Sequence, residues 1–304
     1  MSQSLKTAIQ TLYSKPYLLL VCTMAMWGGH SVVSRMAVGE ISPASLTCLR
    51  WLVVASIMFS VSGRGVRDNW PLLKPRMLYL AGMGTLGYTA YNILLYWSAH
   101  TTTAINIGII NAAMPAMILL GALAMFGQPV RLLQWIGLIV SMTGVLLTAA
   151  KGDFGNLLTL SITRGDLEIL IAVIFYAGYS VLLRNRPLVP GMVFFAALAV
   201  AALVSSLFLL VAEILTGGFF MPSWKGWAVL IYVAIFPSLL AQLFYIRGVE
   251  LIGPGRAGLF NNLIPLFSAA FAMLILGEQP EIYHYIALAL VLGGIFLAEL
   301  RRGA

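Results

Sequence analysis

From Tyr17 almost to its end the sequence returns to one apolar run after another, each close to the length a helix needs to cross a bilayer. Windows of about 20 residues fall at 17-38, 44-62, 77-97, 104-126, 131-150, 166-184, 191-215, 227-247, 257-276 and 282-300. A chain of this kind must satisfy its backbone hydrogen bonds inside lipid, which leaves helices or closed barrels. The runs are continuous rather than alternating in polarity, so a barrel is excluded. The expected fold class is all-α, a polytopic membrane protein with ten transmembrane helices. Composition agrees: 61% of the 304 residues are hydrophobic and 9% charged, with a mean hydropathy of +0.95, against roughly 45–50% and about 25% in soluble domains. Ten crossings use about 200 residues, so function has to be built inside the bilayer.

The breaks fall at Gly39-Glu40-Ile41-Ser42-Pro43, at Gly63-Arg64-Gly65 through Lys74-Pro75-Arg76, at Arg186-Pro187 with Pro190, and over 151–165, the longest. A net charge of +8 could signal nucleic acid, but the bases are spread over span ends, as membrane orientation requires. No nucleic-acid partner is expected. Thirteen of the 18 Lys and Arg residues fall on the side shared by the two termini, which reads as an inner-membrane protein with both termini cytoplasmic. The segment before the first span runs into it without a small-x-small cleavage site and is read as an uncleaved helix rather than a signal peptide. Cys22 and Cys48 both lie in apolar runs and read as packing residues.

Compared with itself at an offset of 150, the chain repeats. Gly108-Ile109-Ile110-Asn111 through Pro115 answers to Gly258-Leu259-Phe260-Asn261 through Pro265, and Gly127-Gln128 to Gly277-Glu278. Ala122 meets Ala272, Ile136 meets Ile286, Gly144 meets Gly294 and Asn92 meets Gln242. At an offset of 149, Trp27-Gly28-Gly29-His30-Ser31-Val32 through Arg35 faces Tyr176-Ala177-Gly178-Tyr179-Ser180-Val181 through Arg184. The expected units are 1–150 and 166–304, five helices each, joined by 151–165. An odd number of crossings per unit turns the second copy upside down, so the halves form an inverted repeat with a substrate site near the midplane and alternating access as the mechanism.

Ten spans, a five-plus-five repeat, and two copies of an Asn-containing helix with a central Pro that ends in Gly-Gln-Pro or Gly-Glu-Gln-Pro make the chain similar to the ten-span drug/metabolite transporter superfamily, EamA type. The resemblance covers nearly the whole chain and within the superfamily is closest to the YddG-type aromatic amino-acid exporters of bacterial inner membranes. It implies export of small metabolites. Gln128 stands where the second half has Glu278, so no shared charge role is implied there.

Ionisable groups inside a membrane usually face a cavity or a partner. Arg50, about six residues into the second span, reads either as an anchor for a substrate carboxylate or as a structural arginine bonded to backbone carbonyls or Glu40. His30, about thirteen residues into the first span, reads as a group titrating near neutrality or as a buried neutral histidine. Every Asp and Glu falls in a loop or near a span end. Without a carboxylate at mid-membrane, coupling has only His30 as a candidate, and an uncoupled facilitator is expected.

Depth along the helical rise puts Trp27, Tyr88, Tyr176, Met114, Pro115 and Pro265 in one layer near the midplane. Pro115 and Pro265 are equivalent in the repeat, and Pro237 answers to Gly87. All three prolines are hinge candidates, with ordinary enrichment of Pro in membrane helices as the alternative. Asn92 and Asn111 fall on one side of the layer and Gln242 and Asn261 on the other, as route contacts or as interhelical bonds. Asn262 beside Asn261 projects to a different face. Tyr88 and Asn92 share a face, with Tyr91 and Tyr96 near, suited to flat and weakly polar solutes. Tyr17, Trp70, Trp135, Trp224 and Trp227 sit at interfaces and need no functional account.

The three histidines are far apart, and there is no Cys cluster, His-x-x-x-His pair or phosphate-cradling loop, so no cofactor, metal or enzymatic activity is expected. The leading expectation is an exporter of small amphipathic metabolites, above all aromatic amino acids. In it Trp27, Tyr88 and Tyr176 hold the ring, and Asn92, Asn111, Gln242, Asn261, Met114 and His30 line the route. Its expected partners are a small-molecule substrate and membrane lipid, and a monomer is compatible with it. The alternatives are an exporter of hydrophobic cations or drugs, and a non-transporting subunit or lipid-interacting scaffold.

Overall fold

A computed structural model describes residues 13–102, 107, 110–111, 113–150, 152–159, 163–276 and 281–300. The start of the fourth expected span, the Gly108–Ile109 pair, Lys151 and the Gly277–Glu278 pair lie outside the described residues. The described chain is helical throughout and contains no strand. In chain order, apart from the single turn Trp70–Leu73, its α-helices are α1 (Pro16–Met36), α2 (Pro43–Asp68), α3 (Met77–Gly84), α4 (Tyr91–Thr101), α5 (Met114–Phe126), α6 (Leu132–Ala149), α7 (Arg164–Leu182), α8 (Gly191–Leu215), α9 (Trp224–Val233), α10 (Ala241–Ile252), α11 (Pro254–Leu259), α12 (Ile264–Leu276) and α13 (Ile282–Glu299). A π-helical stretch, Thr85–Ala90, joins α3 to α4, and another, Ala234–Leu240, joins α9 to α10. A 3-10 turn, Phe260–Leu263, joins α11 to α12.

Five of the resulting helical stretches are long and apolar enough to cross a membrane, including the 29 residues Trp224–Ile252. Shorter apolar helices accompany them at Met114–Phe126, Leu132–Leu147 and Ile282–Ala298. Large apolar side chains such as Phe59, Val61, Ile139, Phe208 and Ile231 are exposed along these helices, the surface a chain presents to lipid rather than to water.

The end of α2 corrects the sequence reading. Gly63-Arg64-Gly65 was expected to break the chain, yet α2 continues to Asp68. A Cβ on Gly65 would lie 2.9 Å from a methyl of Val193, so the glycine serves close packing of α2 on α8 rather than a turn.

The packing follows the repeat. α1 lies on α10 and α12, and its counterpart α7 lies on α4 and α5; α2 packs on its counterpart α8, and α6 on α13. In the α6–α13 pair Gly137 faces Gly294, while Gly144 faces Ala287 and Val291. The two helices therefore run antiparallel, and the contact is so close that a Cβ on Gly294 would sit 2.6 Å from the Ser141 nitrogen. Only glycine allows that approach, and the gain is dispersion contact along the seam.

Two chemical breaks shape the centre. Pro237 has no N–H to give the Val233 carbonyl one turn back, and the Ser238 hydroxyl supplies the bond at 2.5 Å instead. Pro115 and Pro265 each occupy the second position of a new helical segment, α5 and α12. There the missing N–H belongs to the groups that a helix start leaves unpaired in any case.

Candidate functional site

Helices α1, α4, α7 and α10 meet at the centre of the bundle through aromatic rings. Trp27 and Tyr176, equivalent residues of the two halves, are in edge contact with centroids 5.6 Å apart. Tyr91 is tilted against Tyr176 at 5.1 Å, and Tyr245 lies 5.2 Å from Trp27. The Trp27 indole N–H donates to the Pro237 carbonyl at 3.1 Å, on the π-helical stretch where the backbone register is broken. Trp27 and Tyr91 are only half-buried and Tyr176 is buried, so the group offers ring faces and edges to a flat solute.

On one side of this group sits Arg50, 3% exposed. Its Nε donates to Ser238 Oγ, and its Nη1 to both Asn92 Oδ1 and Tyr96 Oη, each at 2.8 Å. Nη2 donates to none of the described residues. The sequence reading offered backbone carbonyls or Glu40 as partners; instead Glu40 engages Ser223 and Lys225 at the end of the bundle. Among the described residues no carboxylate lies within 4.0 Å of Arg50. A guanidinium stays charged at any relevant pH, so the site is a buried cation solvated by three neutral oxygens. Tyr96 Oη also lies 3.0 Å from His30 Nε2.

On the other side the chemistry is neutral. Tyr88 and Tyr179 share a hydroxyl–hydroxyl bond of 2.7 Å, Tyr179 reaches Gln242 Oε1 at 3.5 Å, and the Tyr245 hydroxyl donates to Ser180 at 2.9 Å. Tyr88 is 0% exposed, stacked at 4.7 Å and 7° on Trp51 and edge-on to Phe195. Expected to hold a substrate ring, it packs here against Trp51 of α2, Phe195 of α8 and Tyr179 of α7. Asn92 is close to it in the sense the sequence suggested, its side-chain N–H donating to the Tyr88 carbonyl at 2.5 Å.

The remaining expected residues fall around these groups. Asn111 is half-buried, accepts from the Tyr91 hydroxyl at 3.3 Å and donates to the Ile107 carbonyl at 2.9 Å. Its counterpart Asn261 is buried and donates to Gly258 O at 2.8 Å. Asn262 turns to Ser141 on α6 at 2.6 Å. Met114 and Pro115 are buried, while Pro265 is half-exposed. α11 packs on α5, with Gly255 against Leu119 and Gly258 against Ile118. Past Pro265 the chain leaves α5 and lies on α1, where the Ser268 hydroxyl donates to Gly28 O at 3.0 Å, and every residue from Ile264 to Phe271 is half-exposed. α5 and the 254–276 stretch thus meet at one end and part at the other.

Four contributors were missed in the sequence: Tyr179, Tyr245, Ser238 and Trp51. The repeat could have found two of them, since His30 maps onto Tyr179 at an offset of 149 and Tyr88 onto Ser238 at 150, while Tyr245 stands one residue before the match of Tyr96. Trp51 carries no such signal.

Comparison with known proteins accords with this arrangement. The family model of the EamA-like transporters matches residues 14–150 and again 163–300. The chain is 26% identical over 293 residues to the uncharacterized transporter YetK of Bacillus subtilis, covering 94% of this chain and 87% of that one. It is 24% identical over 279 residues to the uncharacterized inner membrane transporter YedA of Escherichia coli K12, covering 90% and 87%. A probable terminal-alkyne amino-acid exporter of Streptantibioticus cattleyicolor is 23% identical over 289 residues, covering 95% and 94%. A crystal structure of 18% sequence identity superposes with a TM-score of 0.76 over 94% of this chain and 96% of its own, a likeness of fold. With two family matches that together span almost all of it, the chain is a membrane transporter of the EamA-like family.

Proposed function

We propose that this transporter exports small amphipathic metabolites that carry a flat ring and a carboxylate, with aromatic amino acids as the substrates to test first. The observation that carries the reading is Arg50: a buried guanidinium with no counter-ion among the described residues, beside half-buried aromatic rings. Taking a charge out of water costs several kcal/mol even after relaxation. Three hydrogen bonds to a charged group return about 1.5–3 kcal/mol each, so the cation is tolerated, and an arriving carboxylate would find it unneutralised. A ring seated on Trp27, Tyr91 and Tyr176 leaves the carboxylate about one helical turn away, toward His30 and Arg50. Like charge at the same place disfavours hydrophobic cations. The amino-acid exporter among the relatives supports this class.

Transport in this reading follows alternating access in a ten-helix bundle of two inverted five-helix units, in the inner membrane with both termini cytoplasmic. The antiparallel packing of α6 on α13 supports the inversion, because equivalent helices related by an axis in the membrane plane must run in opposite directions. The parting of α5 from the 254–276 stretch at one end supports a cleft open to one side. With no carboxylate bonded to the ring cluster or Arg50 among the described residues, movement in this reading is facilitative, down the substrate gradient.

The test is efflux of labelled tryptophan, phenylalanine and threonine from proteoliposomes, with and without a pH gradient, for the unaltered protein and for Trp27→Ala and Tyr176→Ala. Saturable aromatic flux, indifferent to the pH gradient and at least tenfold lower in either variant, is the expected result. Equal flux of threonine would remove the ring from the recognition, and efflux of a lipophilic cation in place of all three would overturn the reading.

A further inference from the structure

The substrate site proposed above is charged in one sense only, and that narrows the substrate class. Among the described residues two side chains that can carry a positive charge touch it, Arg50 and His30, joined through the Tyr96 hydroxyl. The other groups bonded there are the neutral Asn92 and Ser238. The described carboxylates on the helices around the site have partners of their own: Glu213 accepts from Ser42 and the Ala44 N–H at the start of α2, Asp166 accepts from Thr102 and Thr163, and Glu168, two turns of α7 from Tyr176, pairs with Arg164 through one of its two oxygens. No described residue near the rings offers a negative charge to an ammonium group.

An amino acid brings an ammonium on the carbon next to its carboxylate. If the carboxylate takes the unpartnered Nη2 of Arg50, the ammonium is forced into the field of the same guanidinium, with no acid to receive it. In a water-poor site that repulsion is poorly screened. An aromatic acid without the ammonium makes the same ring contacts and the same carboxylate contact, and its single negative charge neutralises the buried cation. We infer that the best substrates of this site are aromatic monocarboxylates that lack an α-ammonium, such as aryl 2-oxo acids and aryl alkanoates, and that zwitterionic aromatic amino acids rank below them. The inference rests on the reading of Arg50 and the aromatic group as the substrate site.

The experiment is competition and flux in proteoliposomes with three probes of one ring: phenylpyruvate, phenylalanine and phenethylamine. The expected order of half-inhibiting concentration is phenylpyruvate at least tenfold below phenylalanine, with phenethylamine weakest. Phenylpyruvate efflux is expected to accelerate under a potential positive on the receiving side, and phenylalanine efflux is not. Arg50→Gln is expected to remove the preference of phenylpyruvate over phenethylamine; the panel on the unaltered protein decides the matter even if that variant does not fold. Phenylalanine competing as well as or better than phenylpyruvate overturns this inference and leaves the proposed exporter of aromatic amino acids standing. Phenylpyruvate flux without phenylalanine flux upholds the inference and removes amino acids from the proposed function. Flux of none of the three overturns both.

Discussion

The two polar clusters on either side of the Trp27–Tyr176 contact are built from equivalent positions and do different chemistry. His30, Asn92 and Ser238 map onto Tyr179, Gln242 and Tyr88 at offsets of 149 or 150, and Tyr245 stands one residue before the match of Tyr96. The first set surrounds Arg50, while the second bonds mainly to itself. Two substitutions account for the difference. Arg50 has Ala199 and Val200 as its counterparts, so only one half supplies a cation. Ser238 is small and leaves room for the guanidinium, whereas Tyr88 fills the corresponding space with its own ring, stacked on Trp51. A duplicated frame fixes where polar groups can stand, and the residue placed there decides whether that end recognises a ligand or only holds helices together.

The comparison breaks most readily at its centre. Arg50→Leu removes the charge and leaves Asn92 Oδ1 without its donor, at about 1–3 kcal/mol of stability, while the Tyr96 and Ser238 hydroxyls keep His30 and the Val233 carbonyl as partners. Transport of a carboxylate substrate is expected to fall about 100-fold, or about 2.7 kcal/mol of lost stabilisation, while Tyr245→Phe at the other end stays within about threefold. Initial efflux rates at matched protein-to-lipid ratio measure both. A rate within twofold of the unaltered protein for Arg50→Leu would make the two ends functionally alike.

Stability separates the ends in a second way. Tyr96→Phe deprives Arg50 of one of three acceptors and His30 of its partner, at an expected cost of about 2–3 kcal/mol, the range for hydrogen bonds to charged groups. Tyr245→Phe breaks one neutral bond to Ser180, at about 1 kcal/mol. Equilibrium unfolding in detergent gives both values, and equal losses would mean that the guanidinium leans on Tyr96 no more than one hydroxyl leans on another.

How much of this was readable beforehand follows from which interactions have a period. Hydrophobic runs and ordered matches at a fixed offset lie along the chain, so the helices and the duplication were legible. Gly63 and Gly65 misled because a glycine looks the same in sequence whether it makes a turn or admits Val193. The surroundings of Tyr88 were not legible because helical depth fixes a level in the membrane but not a face, and its ring stacks on Trp51. Tyr179 and Tyr245 carry no signal of likeness in the repeat, because Tyr179 stands opposite His30 and Tyr245 one residue before the match of Tyr96. The π-helical stretch at 85–90 has no proline to announce it; only its match to the stretch containing Pro237 makes sense of it.

Those two π-helical stretches sharpen the comparison at smaller amplitude. A Cβ on Gly87 would lie 2.6–2.8 Å from Cγ, Cδ2 and Cβ of Tyr179, so Gly87→Ala forces the ring of Tyr179 off Tyr88. Overpacking of this kind costs about 1–3 kcal/mol, and about 2 is expected. At the equivalent position Pro237→Ala adds an N–H that can serve the Val233 carbonyl in place of Ser238, so the change in stability is expected to stay below about 1 kcal/mol. Unfolding curves for the pair test the ranking; a larger loss for Pro237→Ala would mean that the break at 234–240, not the close contact at 85–90, is the more tightly constrained of the two.

The smallest effect is the most discriminating about Tyr88. Tyr88→Phe keeps the stack on Trp51 and the edge contact with Phe195, both of which belong to the ring. It removes only the hydroxyl bond to Tyr179, which then has Gln242 at 3.5 Å as its remaining partner. A loss of about 1 kcal/mol in unfolding free energy and an unchanged efflux rate are expected. A tenfold drop in efflux from a variant that remains folded would contradict the division drawn here: it would mean that the Tyr88 hydroxyl meets the substrate when the bundle opens toward the neutral end, and that both clusters, not one, take turns at recognition.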